Sequence, residues 1–154
     1  MMKISVLGVG QKGLMSGKAL AEMGNEVIYF CKDNKRVENL RRGHGNLTEL
    51  QVLKSINKKF AIDFTSDMKE ALEQSNMCFI SEDSEESSDA TLYHILATAK
   101  EVGANMCSHT FVVDRSSLPV NRLDLIKSTI QEELDKRASS LTFEVISNPN
   151  FLRA

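Results

Sequence analysis

Three glycines near the start of the sequence have the spacing of an anion-binding turn. Gly8, Gly10 and Gly13 form the pattern G-x-G-x-x-G. In such a turn the first glycine makes the bend, the second lets the backbone approach a pyrophosphate, and the third lets the following helix lie close to the preceding strand. Free N–H groups at the helix start then attract negative charge. The residues predicted to contact a diphosphate are Gly8, Val9, Gly10, Gln11, Lys12 and Gly13.

The glycine motif gains weight from the elements around it. Residues 3–7 are predicted to form a strand, and residues 12–23 a helix that Gly24 closes just past its end. Branched and aromatic residues at 26–30 predict a second strand. A strand, glycine turn, helix and strand in this order frame a dinucleotide-binding unit. The alternative is a glycine-rich turn that binds nothing.

An acid at the end of the second strand usually accepts hydrogen bonds from the adenosine ribose. Cys31 occupies that position, and a thiol cannot make the bidentate contact. Asp33, about 20 residues after Gly13, is the predicted substitute, and Arg36 is a further candidate contact. The fingerprint predicts NAD as the cofactor. Lys32, Lys35 and Arg36 would tolerate a 2′-phosphate better than a typical NAD site does, so NADP is the alternative. The alternative interpretation is that these three basic residues form a solvated helix face that binds no ligand.

The rest of the sequence alternates apolar runs with helical stretches. Runs such as Phe111-Val112-Val113 lack polar alternation, as expected of strands covered on both faces. Alternating strands and helices imply right-handed crossovers and a parallel sheet. We therefore predict one α/β domain over residues 1–154, a Rossmann-type doubly wound sheet with strand order 3-2-1-4-5-6. The predicted strands are 3–7, 26–30, 60–64, 77–80, 110–114 and 142–146, and the predicted helices are 12–23, 35–42, 48–56, one capped by Asp67 with Glu70 completing a capping box, 90–102 and 120–137.

Composition narrows the classes of function. The 154 residues carry 42% hydrophobic and 26% charged residues with a net charge of −2, so no basic footprint for nucleic acid is present. No apolar stretch has the length of a membrane span. Three widely spaced cysteines argue against a disulfide framework and a zinc site, and favour a reducing cytoplasm. Histidines 44, 94 and 109 form no metal-binding or triad pattern, so neither a metal nor an independent catalytic site is predicted.

Three blocks of sequence carry a family pattern. The first is M-K-I-S-V-L-G at 2–8, continued by L-A-E-M-G-N-E-V-I at 20–28. V-V-D-R-S-S-L-P-V follows at 112–120, and V-I-S-N-P-N-F-L-R at 145–153. In this order they resemble the N-terminal, NAD-binding domain of the UDP-glucose/GDP-mannose 6-dehydrogenase family. The resemblance covers nearly the whole sequence.

The resemblance implies an activity and also an incomplete catalyst. Family enzymes oxidise the C6 alcohol of a nucleotide sugar to a carboxylate with two NAD molecules, using a lysine and a cysteine in a Gly-Gly-Ser-Cys motif on later domains. None of Cys31, Cys78 and Cys107 lies in such a motif. The resemblance also makes Ser117 a candidate cofactor contact, since it keeps the hydroxyl of the family's threonine.

The departures from the family pattern leave a second function open. Cys31 replaces the ribose acid, and Asn150 replaces a glutamate, although an amide cannot act as a general base. Five carboxylates within 81–89 replace a Gly-Thr-Pro loop, and each repels a nearby pyrophosphate by about 1 kcal/mol. The alternative is a regulatory module that keeps the fold and contacts a protein partner in glycan synthesis or a second copy. A fragment of a working enzyme is disfavoured, because truncation alone would not alter Cys31 or Asn150.

Overall fold

The computed structural model describes residues 2–8, 11–42, 62–73, 75–81, 88–114 and 123–147. The predicted helix at 48–56 lies outside these residues, as do Val9, Gly10, Ser117, Asn150 and the acidic stretch 82–87. The strands are β1 (Lys3–Leu7), β2 (Glu26–Phe30), β3 (Ile62–Thr65), β4 (Met77–Ile80), β5 (Thr110–Asp114) and β6 (Phe143–Ser147). The helices are α1 (Gln11–Glu22), α2 (Asn34–Arg41), α3 (Met68–Glu73), α4 (Ser88–Asn105) and α5 (Leu123–Lys136).

The six described strands form one parallel sheet in the order β3-β2-β1-β4-β5-β6, which confirms the predicted topology. Helices α1 and α2 pack on one face through residues such as Leu14 and Val37. Helices α3, α4 and α5 pack on the other face, with Ala99 and Ile130 fully buried. Both faces are therefore covered, which is why the strand sequences are apolar runs without alternation.

The order of the strands reverses at β1. Leu7, the last residue of β1, pairs with Phe30 of β2 on one side and Ile80 of β4 on the other. The helix that follows β1 lies on one face of the sheet and the helix that follows β4 on the other. In open α/β sheets the crevice outside the carboxyl ends of two such strands is where ligands bind.

The ends of the helices follow their capping residues, with one correction. Gly24 has a φ of 95° and donates to Ala21 O, so it closes α1 as predicted. Asp67 accepts from the N–H of Lys69 at 3.0 Å and caps α3. In the predicted capping box, the Glu70 side chain would also accept a hydrogen bond from the N–H of Asp67. This second part of the prediction is wrong.

A threonine hydroxyl stands between the two partners of that expected box. Asp67 N–H donates to Thr65 Oγ1 at 3.1 Å, and the same hydroxyl donates to Glu70 Oε2 at 3.1 Å. The side chain at the end of β3 therefore satisfies the N–H that the glutamate was expected to reach. Two predicted ends also differ: β3 (Ile62–Thr65) ends one residue after the predicted 64, and α5 (Leu123–Lys136) ends one residue before the predicted 137, while residues 60, 61 and 120–122 lie outside the described residues.

Candidate functional site

The first and third glycines of the motif lie against each other. Gly8 follows β1 with a φ of 139° and donates its N–H to Phe30 O at 3.0 Å. A Cβ on Gly13, in the first turn of α1, would overlap Gly8 O and lie 2.9 Å from Ser81 Oγ. Helix α1 thus begins in direct contact with the end of β1, which only glycine permits. The start of α1 therefore lies at the end of β1, which is the position that an anion site at a helix start requires.

Ser81 belongs to this site, although no role was assigned to it from the sequence. It directly follows β4, and its N–H approaches Leu7 O at 3.5 Å. Its hydroxyl faces the position that a Gly13 side chain would occupy. The signal in the sequence is its place as the first polar residue after the apolar run 77–80. Gly8 and Ser81 therefore lie on the two sides of the crevice between β1 and β4.

A buried tyrosine joins β2 to α1. Tyr29 is fully buried, and its hydroxyl donates to Leu14 O at 2.7 Å. Any Cβ on Gly17 would overlap the phenol ring, so this second helix glycine makes room for it. Burial raises the pKa of Tyr29, and a hydrogen bond with the Lys18 backbone lowers it by less. The hydroxyl therefore remains a protonated donor.

Asp33 caps helix α2, a structural role in addition to its predicted contact with the ribose. Its Oδ1 accepts from the N–H of Lys35 at 3.0 Å and of Arg36 at 3.3 Å, so it caps α2. Arg36 lies in the first turn of α2 and is half-buried. The ribose contact predicted for Asp33 stays a prediction, and only Oδ2 is uninvolved in these two cap bonds.

The residues after β2 link it to neighbouring elements. Cys31 donates its N–H to Thr65 O at 3.0 Å and is half-buried against the α1–α2 side of the core. Lys32 Nζ lies 2.8 Å from Glu101 on α4. The hydrogen bond and charge of Glu101 raise the pKa of Lys32. This ion pair joins the end of β2 to a helix that packs on one face of the sheet, a contact that no local sequence pattern could predict.

A carboxylic acid ends β5 inside the protein. Asp114 is fully buried and lies between Ile80 of β4 and Ser147 of β6 in the sheet. Aspartate is rarely buried so completely, which makes its place beside the crevice unusual. The switch from apolar to acidic in V-V-D is the sequence signal for it.

The described residues contain no group of three or more His, Cys, Asp and Glu side chains that could hold a metal ion. Nor do they include a helix long and apolar enough to cross a bilayer. Gln11 and Lys12 lie in the first turn of α1, so their backbone is at the crevice.

Comparison with known proteins identifies the family. Residues 2–154 match the model of the UDP-glucose/GDP-mannose dehydrogenase family, NAD binding domain. The UDP-glucose 6-dehydrogenase TuaD of Bacillus subtilis is 31% identical, over 99% of this chain and 34% of its own length. The UDP-glucose 6-dehydrogenase of Pseudomonas aeruginosa is 32% identical, over 99% and 35% respectively. The chain thus spans about a third of the length of these relatives.

Solved structures agree on the fold. The UDP-glucose dehydrogenase from Pyrobaculum islandicum superposes with a TM-score of 0.80 at 25% identity, covering 97% of this chain and 36% of that one. The GDP-mannose dehydrogenase from Pseudomonas aeruginosa superposes with a TM-score of 0.77 at 22% identity, covering 96% and 36%. The glycine turn, the strand order and the family match lead to one conclusion: the chain belongs to the UDP-glucose/GDP-mannose dehydrogenase family, as its NAD-binding domain.

Proposed function

We propose that these 154 residues form a dinucleotide-binding domain of the kind found in enzymes that oxidise the C6 alcohol of a nucleotide sugar, and that the domain is catalytically incomplete by itself. The observation that carries this proposal is the contact between Gly13 and Gly8 O at the crevice between β1 and β4. A side chain at residue 13 would overlap this oxygen, so glycine lets α1 begin directly against β1, where the N–H groups of a helix start can bind a pyrophosphate. When bound, the nicotinamide would accept a hydride from the substrate alcohol.

Each part of the cofactor has candidate contacts in this chain. The backbone of residues 8–13, with Val9, Gly10, Gln11 and Lys12 between the two outer glycines, holds the pyrophosphate. Asp33 Oδ2 accepts from a ribose hydroxyl while Oδ1 caps α2, and Arg36 lies beside it. Ser117, three residues beyond the end of β5 in the sequence, is the candidate contact for the nicotinamide end.

The domain does not turn over its substrate by itself. Cys78 is buried in the middle of the sheet, and burial raises the pKa of its thiol to about 12, so it is no nucleophile. Cys107 precedes β5 and therefore lies at the opposite edge of the sheet from the crevice. Cys31 follows β2, at the adenosine end. About two thirds of the length of these relatives lies outside the match, and the family resemblance implies that the catalytic lysine and cysteine belong to that part.

Thermal melting with and without millimolar NAD, NADP and NADH tests the proposal. A ligand at about 100 times its dissociation constant adds about 2.7 kcal/mol of stability. For a domain of this size that is a rise of several degrees in Tm. At least one of the three nucleotides is expected to give this rise, and a flat response to all three would overturn the proposal.

A protein partner or a second copy is the alternative ligand of the domain. It is supported by β6, which is the outermost strand among the described residues and whose Ile146 is exposed. An edge strand with apolar side chains is a template for association. Light scattering at rising protein concentration tests this: a constant monomer mass excludes the second copy, and a pull-down from source cells then tests the protein partner.

We further propose a cytoplasmic location. The support is chemical, because Cys31, Cys78 and Cys107 are all free thiols, a state that a reducing compartment maintains. Fractionation of source cells followed by thiol labelling tests it. Recovery of the protein outside the cytoplasm with oxidised cysteines would contradict it.

A further inference from the structure

We propose that a second copy of this chain docks on the open edge of β6, with the two β6 strands paired antiparallel about a twofold axis at Val145. This pairing joins the two six-stranded sheets into one. The inference goes beyond the dinucleotide proposal and does not depend on it, because β6 is two strands away from the crevice between β1 and β4. Three observations carry it: the outward backbone groups of β6, the position of Glu144, and the charges along α5.

Alternate residues of β6 direct their backbone groups away from the sheet. Thr110 N–H donates to Thr142 O at 3.4 Å, at the start of the parallel ladder between β5 and β6. In such a ladder alternate residues of a strand bond to one neighbour, so the even-numbered residues of β6 bond to β5. The N–H and C=O groups of Phe143, Val145 and Ser147 therefore point outward. Within the described part of the chain these groups meet no other strand.

The other edge strand, β3, is protected from strand addition. Cys31 N–H donates to Thr65 O, so the N–H of the preceding residue, Phe64, points away from β2. Asp63 Oδ1 accepts this N–H at 2.8 Å. A carboxylate that occupies an outward N–H at a sheet edge discourages pairing with another chain. Among the described residues, no side chain bonds to the outward groups of β6, so β6 offers a ladder that β3 does not.

The charge of Glu144 selects the register of the pair. Residues directly opposite in an antiparallel pair share a face of the sheet, so the twofold axis passes through one residue of β6. An axis at Glu144 would place two carboxylates opposite each other, which is destabilising. An axis at Val145, the middle residue of β6, places each Glu144 opposite the exposed Ile146 of the other copy. The two Val145 residues then exchange both backbone hydrogen bonds, as do Phe143 and Ser147 across the axis.

Helix α5 fits the same arrangement. As the crossover from β5 to β6, it lies over these two strands and runs opposite to them. Neighbouring strands are about 4.8 Å apart, so α5 and its copy would lie about 10 Å apart, the distance of packed helices. A groove of about 710 Å³ follows the edge, between Asp124, Lys127 and Gln131 of α5 and residues 142–146. The second copy would fill this groove.

Opposite charges on α5 meet across the axis. The middle of the groove lies at Glu144 on the strand and at residues 127–128 on the helix. Val145 is about 3.3 Å further along the strand, which corresponds to about two residues back along α5. The axis thus passes near residues 125–126, and Asp124 of each copy faces Lys127 of the other. Both side chains are exposed in the single chain.

Sedimentation equilibrium at micromolar to submillimolar concentrations tests the inference. We expect monomers and dimers without larger species, because the pair uses both β6 edges. Val145→Pro should abolish the dimer, since it removes an outward N–H and costs no bond to β5. Val145→Ala, which also reduces packing but keeps the N–H, is the matched control and should still dimerise. A constant monomer mass of the wild-type chain, or a dimer of Val145→Pro, would overturn the inference.

Substitutions at the exposed Ile146 test the register without disturbing the core. Ile146→Asp places like charges opposite each other twice and should weaken the dimer about tenfold. Ile146→Lys places a cation opposite Glu144 and should keep or tighten it. Equal weakening by both would overturn the axis at Val145. Melting curves confirm folding, and Ile146→Asp decides the matter if Val145→Pro does not fold.

Exchange of the two charges on α5 tests the helix contact. Asp124→Lys should weaken the dimer severalfold, and adding Lys127→Asp should restore it, because the opposite charges then meet in reverse. Failure of the double variant to recover would overturn the contact between the helices.

NADH fluorescence titration separates this inference from the proposed function. Ile146→Asp should bind NADH as the wild-type chain does, since β6 is remote from the crevice. A dimer that binds no dinucleotide would overturn the proposed function and support this inference. A monomer that binds dinucleotide would do the reverse.

Discussion

The hydroxyl of Tyr29 donates a 2.7 Å hydrogen bond to the carbonyl oxygen of Leu14, inside the protein. Tyr29 belongs to β2, whose end is the proposed ribose site, and Leu14 belongs to α1, whose start is the proposed pyrophosphate site. One buried contact thus fixes the distance between the two halves of the cofactor site. Gly17 makes the contact possible, because any side chain there would overlap the phenol.

Gly17→Ala should therefore destabilise the domain, although alanine is the better helix former. Overlap with a fully buried ring costs about 1–3 kcal/mol, more than the gain of about 1 kcal/mol in helix propensity. Tyr29→Phe should cost about 1 kcal/mol through the lost hydrogen bond. Urea unfolding measures both, and Met15→Ala on the exposed side of α1 is the control, expected within about 0.5 kcal/mol of the wild type. A Gly17→Ala variant as stable as that control would contradict the arrangement.

Gly13→Ala should abolish dinucleotide binding. The new methyl group would meet the backbone oxygen of Gly8, which cannot rotate away, so α1 must move off β1 and its N–H groups leave the pyrophosphate position. Gly24→Ala is the matched control: its φ of 95° also disfavours alanine, by about 1 kcal/mol, yet nothing lies within 4 Å of the new Cβ. NADH fluorescence titration should show binding lost in the first variant and kept in the second. Equal losses in both would trace the effect to stability instead of the turn.

Local patterns were enough to predict most of the fold. The glycine turn, the apolar runs and the Gly24 closure each depend on a few consecutive residues. Strict alternation of strands and helices, together with the right-handed crossover, then leaves few possible strand orders. The observed strand order follows from these two rules, and the cap at Asp67 follows from the local sequence at the start of α3. The family was also predictable, since its three blocks lie in order along the chain.

Contacts between distant residues could not be predicted in this way. The ion pair of Lys32 with Glu101 joins residues from different layers of the fold. The N–H of Asp67, expected to donate to Glu70, donates to the hydroxyl of Thr65 instead. Thr65 is the last residue of β3, so its side chain lies beside the start of α3. Asp33 looked like a ribose ligand by its spacing alone. Its role as a cap became visible only with the position of the α2 backbone.

Two substitutions at Asp33 separate its cap from its ribose contact. Asn is as good a helix cap as Asp, so Asp33→Asn should change stability by only a few tenths of a kcal/mol, whereas Asp33→Ala should cost about 1 kcal/mol. If Oδ2 accepts from a ribose hydroxyl, both variants should bind NAD and NADP severalfold more weakly. Chemical denaturation and calorimetry on the same samples give the two readouts. Unchanged affinities in Asp33→Asn would reduce Asp33 to a cap and remove it from the cofactor site.

The three thiols should react in the order of their exposure. Cys107 is exposed, Cys31 is half-buried, and Cys78 is fully buried with a pKa raised to about 12. A thiol-specific reagent at pH 8 should modify Cys107 first, Cys31 more slowly, and Cys78 only when the protein unfolds, because the thiolate is the reactive form. Bound NAD should slow the reaction of Cys31 and not that of Cys107. Peptide mapping identifies the modified residue, and rapid labelling of Cys78 in the native state would contradict the buried position.

The same buried thiol should make stability fall at alkaline pH. The pKa of Cys78 rises from 9.0 in the unfolded chain to about 12 in the folded protein, so the folded state retains the proton that the unfolded state loses. Its contribution is therefore complete below pH 9 and decreases as the pH rises toward 12, by at most about 1.4 kcal/mol per pH unit. Tyr29 acts in the same direction, since burial raises its pKa too, but only above its ordinary value of 10.0. Urea unfolding between pH 8 and 10 isolates the thiol. Cys78→Ala, less stable throughout because of the cavity it leaves, should lose this slope, and an unchanged slope would assign the effect to other groups.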